Sequence, residues 1–115
     1  MIRDDLVRMR HMLYTARKAV EFTDGKGRED LDAEGTYSLF VKKSCELMAN
    51  SAWRISPECR SSYVEIPWAA LMAMADLRGW PQPEERLDGI WAFLTRDLPG
   101  IVNHLEKIIR QEEGR

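Results

Sequence analysis

The sequence predicts one all-α domain over residues 1–115, an up-and-down bundle of about four main helices with a kinked C-terminal helix. Apolar residues recur every three or four positions in several long segments, which is the spacing of one helix face. No segment alternates polar and apolar residues with the period of a strand, and no hairpin signal occurs. A chain of 115 residues is long enough to bury a helical core.

The first predicted helix covers residues 4–22. Gly25 and Gly27 favour a turn over a helix and therefore end it. Residues 28–35 are short and acidic, which predicts a loop with at most one helical turn. The apolar residues of this helix fall on one face because their spacing alternates between three and four. They are Leu6, Met9, Leu13, Ala16 and Val20.

The second predicted helix starts near Ala33 or Glu34 and runs to about Arg54. Proline has no amide hydrogen and pushes the residue before it out of helical geometry, so Ser56-Pro57 ends the helix. Residues 61–66 are predicted to form a connector. The expected buried stripe of this helix is Tyr37, Phe40 or Val41, Ser44 or Cys45, Met48 and Ala52.

A shorter helix follows the connector. Pro67 suits its first turn, where the missing donor costs little, and the apolar run reaches Ala75. Trp68, Leu71, Met72 and Ala75 are expected on one side of it. The breaking residues Gly79, Pro81 and Pro83 then interrupt the chain.

The last predicted helix, residues 84–109, has the clearest periodicity. Its apolar seam steps by three and four, as in a coiled coil. Pro99 interrupts the seam and predicts a kink, or a new start with Asp97 near the cap. The polar residues 111–115 predict a frayed end. The seam consists of Trp91, Leu94, Leu98, Ile101, Leu105 and Ile108.

Composition excludes several classes of protein. Hydrophobic residues make up 44% of the chain and charged residues 31%, which excludes a disordered or membrane protein. The formal net charge of −2 gives no long-range attraction to nucleic acid, and no helix-turn-helix with a basic recognition helix is present. The chain begins without an apolar signal region, and Cys45 and Cys59 lack metal-site spacing. We expect a reduced cytoplasmic protein with no metal and no cofactor, in which Cys45 is a core residue.

Four short motifs occur in this chain in a characteristic order and spacing. They are Ile66-Pro67-Trp68, then Trp91, then Asp97-Leu98-Pro99, then Leu105-Glu106-Lys107-Ile108. In this arrangement the chain resembles, over nearly its whole length, the HepT-like proteins of the HEPN superfamily. These are small all-helical partners of minimal nucleotidyltransferases. The resemblance implies a homodimer and a small nucleotidyltransferase partner.

The resemblance also locates a catalytic motif that this chain lacks. Relatives that cut RNA without metal carry an Arg and a His, which here fall at Ala75 and Trp80. A methyl group cannot hold a phosphate, and an indole cannot accept a proton. The Tyr that some relatives use as the site of AMP attachment falls at Gln82. A Gly-Glu pair that often points toward the site falls at Ala49 and Asn50.

These departures predict a retained scaffold with lost ribonuclease chemistry. The expected function is the toxin-type or partner component of a nucleotidyltransferase-linked, toxin–antitoxin-like pair that acts by protein binding. No residue is predicted to be catalytic. The residues predicted to bind a partner or ligand are Asn50, Arg54, Arg78 and Trp80. Within the loop of residues 80–83, Trp80 is either such an anchor or a packed side chain, and packing is the favoured interpretation.

Three other functions stay open at this point. An active metal-independent endoribonuclease would use Arg78 or His104 in place of the missing pair, although His11 and His104 are both interpreted as surface or boundary residues. A nucleotide-binding module would hold a phosphate with Arg54, Arg60 and Arg78. An unrelated helical bundle, such as a regulator subunit, is the last alternative.

Overall fold

Apolar residues at helical spacing fold this chain into an all-α helical bundle, which confirms the predicted fold class. The computed structural model describes residues 1–32, 35–75 and 83–114, and within these ranges it contains no β-strand. A 3-10 turn lies at Arg28–Leu31, and a π-helical segment lies at Phe93–Asp97. The helices are α1 (Arg3–Thr23), α2 (Thr36–Arg54), α3 (Pro57–Ser62), α4 (Trp68–Ala73), α5 (Pro83–Ala92) and α6 (Leu98–Glu113).

The core lies where α1 packs against α2 and α6, and where α2 packs against α4. The predicted stripe of α1 is confirmed, with Met9, Leu13 and Ala16 buried and Leu6 and Val20 packed half-buried against them. The predicted seam of the C-terminal helix is also confirmed. Its buried members are Leu94, Leu98, Ile101, Leu105 and Ile108, and Trp91 is half-buried.

Helix α2 begins later than predicted. Gly35 has extended backbone and lies immediately before Thr36, so the expected start at Ala33 or Glu34 was a few residues too early. Those two residues lie outside the residues that the structure describes. The predicted core face is confirmed, since the buried set includes Val41, Ser44, Cys45, Met48 and Ala52.

The turn after α1 depends on one glycine. Gly25 has a φ of 80°, a backbone conformation that residues with a side chain rarely adopt. The chain then enters the 3-10 turn at Arg28–Leu31, which agrees with the predicted loop of at most one helical turn. Arg28 anchors the turn, because its Nη1 donates to Asp32 at 2.9 Å and its Nε donates to Asp88 on α5 at 2.8 Å.

A short helix, α3, occupies a region where the sequence predicted only a stop followed by a connector. Ser56 has extended backbone because it precedes Pro57, and Pro57 then opens α3. The Ser56 hydroxyl accepts a hydrogen bond from the Cys59 amide at 3.2 Å and so caps α3. A proline that ends one helix here begins the next one. Pro67 stands before α4, where it lies at the cap rather than in the predicted first turn.

A buried carboxylate connects α1 to Ser56, where the chain turns from α2 into α3. Asp5 is only 2% exposed. Its Oδ1 accepts from the Ser56 amide at 2.9 Å, and its Oδ2 accepts from the Ser56 hydroxyl at 2.7 Å. Burying a charged group is costly unless hydrogen bonds replace its water, and Ser56 supplies two of them. We call this Asp5–Ser56 arrangement the corner clamp.

The C-terminal helix does not stop at its proline. The segment Phe93–Asp97 widens into a π-helix, and the Leu98 amide donates to the Phe93 carbonyl five residues back. Pro99 has no amide hydrogen, so the regular bond to the carbonyl four residues back cannot form, and the wider turn absorbs the defect. Asp97 lies at the cap position of α6 as predicted, but its side chain makes no capping bond.

The predicted frayed end was wrong for residues 111–113. Helix α6 continues to Glu113, whose carboxylate binds Arg10 of α1 at 2.9 Å. The neighbouring Glu112 accepts a hydrogen bond from the Tyr63 hydroxyl. Contacts to α1 and to the end of α3 therefore hold the polar tail in helical form, which periodicity alone did not indicate.

Both cysteines are free and buried, and the prediction that Cys45 is a core residue is confirmed. Burial raises the pKa of the Cys45 thiol from its ordinary 9.0 to about 12. Burial, assisted by the nearby Asp5 carboxylate, raises the pKa of the Cys59 thiol to about 11. Both thiols stay protonated at neutral pH, so neither is an activated nucleophile.

We predict that Asp5→Ala lowers the free energy of unfolding by about 2–4 kcal/mol, because it removes both hydrogen bonds to the half-buried Ser56. Urea unfolding followed by far-ultraviolet circular dichroism measures this loss. Asp4→Ala is the matched control, since Asp4 is exposed on the same helical turn and its loss costs at most about 1 kcal/mol. Equal losses in the two variants would contradict the corner clamp.

A second prediction concerns alkaline stability. Above pH 9 the unfolded chain releases the Cys45 proton while the folded chain keeps it up to about pH 12. The free energy of unfolding should therefore fall across this window, by up to about 1.4 kcal/mol per pH unit for this group. Cys45→Ala should make the fall shallower in urea unfolding at pH 8 to 10. The same pH dependence in both proteins would show that the thiol is not linked to folding.

Candidate functional site

The position where the resemblance places a catalytic Arg lies at the end of α4. Ala75 follows this helix in a turn, and its amide donates to the Met72 carbonyl at 3.1 Å. The residue is half-buried against the core, and α4 packs on α2. A methyl group at this point offers neither charge nor a donor. The predicted site residues Arg78, Trp80 and Gln82 lie outside the residues that the structure describes.

The two residues predicted to face that site from α2 differ in exposure. Ala49 is completely buried, whereas Asn50 is exposed. Consecutive residues of a helix point about 100° apart, so both cannot lie on one surface. Of this pair, only Asn50 is available to a partner or ligand.

Arg54, predicted as a binding residue, lies in a groove between α1 and α2 with two residues that the sequence did not associate with it. We call this the α1–α2 groove. It has a volume of about 230 Å³ and is lined by Asp4, Val7, Arg8, His11, Ser51 and Arg54. His11 is exposed, as predicted for a surface residue. Its position three residues after Arg8 places both on one side of α1.

The positive charges of Arg8 and Arg54 in the α1–α2 groove are not neutralised by ion pairs with described residues. Within the part of the chain that the structure describes, neither Arg8 nor Arg54 has a carboxylate within the 4.0 Å of a salt bridge. By contrast, Arg10 and Arg17 of α1 bind Glu113 and Glu106 of α6, at 2.9 and 3.0 Å. The groove therefore presents two guanidinium groups that keep their donors for another molecule.

Arg60, which the sequence grouped with Arg54, lies at a different place. Its guanidinium carbon is 5.9 Å from the centre of the Trp53 ring, and its Nη1 lies 2.8 Å from the Met72 sulfur. Its Nε is buried and has no partner among the described residues. This half-buried cation supports the indole of Trp53 from one side. Arg54 and Arg60 therefore do not form one phosphate site.

His104, the other candidate for proton transfer, lies on α6. It is half-buried beside the seam, as predicted for a boundary residue. No other described residue forms a hydrogen bond to its ring. The resemblance pairs such a His with an Arg, but here Arg78 lies outside the described residues.

A cavity of about 800 Å³ lies between the start of α1, α3 and the end of α6. Its polar residues include Asp5, Ser56, Tyr63 and Glu112, and these are engaged in the corner clamp and in the Tyr63–Glu112 bond. Cys59 also lines it, with the raised pKa already described. These polar groups therefore connect the three helices around the cavity and do not present a reactive group.

Metal-binding clusters and membrane-spanning helices are both absent from residues 1–32, 35–75 and 83–114. No group of three or more His, Cys, Asp or Glu side chains is placed to hold a metal ion. No helix in these ranges is both long and apolar enough to cross a membrane.

Comparison with known proteins adds no relative. No protein-family model, no curated protein and no solved structure matches the chain. The features that bear on function are therefore those of the molecule itself. They are the methyl group of Ala75 at the position where the resemblance expects an Arg, the α1–α2 groove arginines that form no ion pair with a described residue, and the exposed surface of α2 beside Trp53.

Proposed function

We propose that this chain is a HepT-like HEPN protein that acts by binding other protein chains and has lost ribonuclease chemistry. It would be the toxin-type or partner component of a nucleotidyltransferase-linked pair. Its first partner would be a second copy of itself, and its second a small nucleotidyltransferase. The all-α bundle and the half-buried methyl of Ala75 are consistent with this proposal.

The observation that carries the proposal is the apolar outer face of α2. Leu39, Leu47 and Trp53 are 69%, 47% and 56% exposed, and they form a run of large apolar side chains along one helix. At 100° per residue they fall within an arc of about 120°, opposite the buried residues Val41, Cys45 and Met48. We call this arc the α2 face.

The composition of the α2 face fits a protein partner. Aromatic and large aliphatic residues dominate the centres of interfaces, and a tryptophan held by a neighbouring cation is a suitable anchor. Lys43 and Glu46 lie on the same arc and pair with each other at 3.6 Å. Their charges are therefore balanced within the helix and do not repel a second copy of the chain.

The test changes the α2 face without disturbing the helix. Leu39→Glu places a carboxylate on the face in the first turns of α2, where the helix dipole favours negative charge. We expect the wild-type protein to sediment at about twice the 13.4 kDa of one chain. In the variant, we expect the dimer dissociation constant to rise at least about tenfold in sedimentation equilibrium.

Tyr14→Glu is the matched control for this measurement. Tyr14 is a similarly exposed apolar residue, but it lies on α1, so the same charge change should leave the dimer intact. Wild-type protein that is monomeric at high concentration would overturn the self-association. A dimer that is weakened equally by both variants would place the interface elsewhere.

A further inference from the structure

We infer that the α1–α2 groove binds the phosphate group of a small organic phosphate. This goes beyond the proposed function, which needs only the α2 face, and concerns a single copy of the chain. The groove brings two arginines from different helices to one small depression, with a histidine and a serine beside them. Phosphate oxygens are the ligands to which two such guanidinium forks are suited.

The lack of ion pairs between the two guanidinium groups and described residues favours the binding of an anion between them. The chain is acidic overall, with 19 Asp and Glu against 17 Lys and Arg, so carboxylates to pair with are plentiful. Yet Arg8 and Arg54 line one groove with no ion pair to a described residue, even though like charges on facing helices repel. A bound dianion would remove that repulsion and use the free donors of both side chains.

Ser51 adds a hydroxyl donor to the groove wall. At other helical positions, the hydroxyls of Ser44, Ser62 and Thr95 donate to the carbonyl four residues back. The Ser51 hydroxyl has no such bond to a described residue, although Ser51 lies in a regular part of α2. It is therefore free to donate to a phosphate oxygen.

The size and charge of the groove define the ligand class. A volume of about 230 Å³ accepts a phosphate with part of its organic group, and not a duplex. Asp4 also lines the groove, and its carboxylate opposes the approach of an anion. With one carboxylate against two guanidinium groups the lining stays positive, but it is unsuited to a long polyanion. A phosphomonoester is the ligand that this balance favours.

The experiment is calorimetric titration at low ionic strength with AMP, inorganic phosphate and adenosine. We expect AMP and phosphate to bind and adenosine, which lacks the phosphate, not to bind. Arg8→Gln and Arg54→Gln should each weaken AMP binding about tenfold, the loss of one charge-assisted hydrogen-bonded contact. Arg10→Gln, which removes the same charge from α1 outside the groove, should change it less than about twofold.

A variant that binds AMP more tightly distinguishes a direct effect on the groove from an effect of misfolding. Asp4→Asn removes the opposing carboxylate, so it should tighten AMP binding severalfold, which no misfolded variant would do. Leu39→Glu should leave AMP binding unchanged, so failure of the dimer and failure of the groove are distinguishable. The inference is overturned if AMP does not bind, if Arg10→Gln has the same effect as Arg8→Gln, or if single-stranded RNA binds through these arginines and AMP does not.

Discussion

The buried carboxylate of Asp5 is the interaction on which the arrangement of the helices depends. It lies near the start of α1 and binds both the amide and the hydroxyl of Ser56, fifty-one residues later in the chain. A charged group this deeply buried is tolerated only while both hydrogen bonds are kept. These two hydrogen bonds therefore fix the position of α1 relative to the end of α2. Because the Ser56 hydroxyl also caps α3, the same contact fixes the direction in which the chain leaves the corner.

The corner clamp also sets the geometry of the surface beside it. Arg8 lies three residues after Asp5 on α1, and Arg54 lies two residues before Ser56 on α2. Fixing Asp5 against Ser56 therefore brings the two arginines to the same groove. The α2 face lies beside the groove, since Arg54 falls within its arc at 100° per residue, and its residues Leu39, Leu47 and Trp53 are largely exposed. A polar groove and an apolar face thus adjoin on one helix, and both are suited to binding.

The sequence predicted the fold better than the site, and the reasons are physical. Periodicity located the core faces of α1, α2 and α6, because burial acts on every third or fourth residue. It missed α3, since a proline that ends a helix also suits the start of one. It also missed the ordered tail at Glu113, which depends on a contact with Arg10. Arg8 and His11 come next to Arg54 only because α1 packs on α2. The spacing of residues in the sequence does not indicate which helices pack together.

We propose that this molecule binds other chains and does not cut RNA. Ala75, where the resemblance expects an Arg, offers only a methyl group. His104 is a boundary residue of α6, and burial keeps both thiols protonated at neutral pH. The most direct measurement is incubation of the purified protein with single-stranded RNA in excess chelator, followed by gel electrophoresis. We expect the RNA to remain as intact as in buffer alone. Cleavage that is lost in the His104→Ala variant would contradict the account.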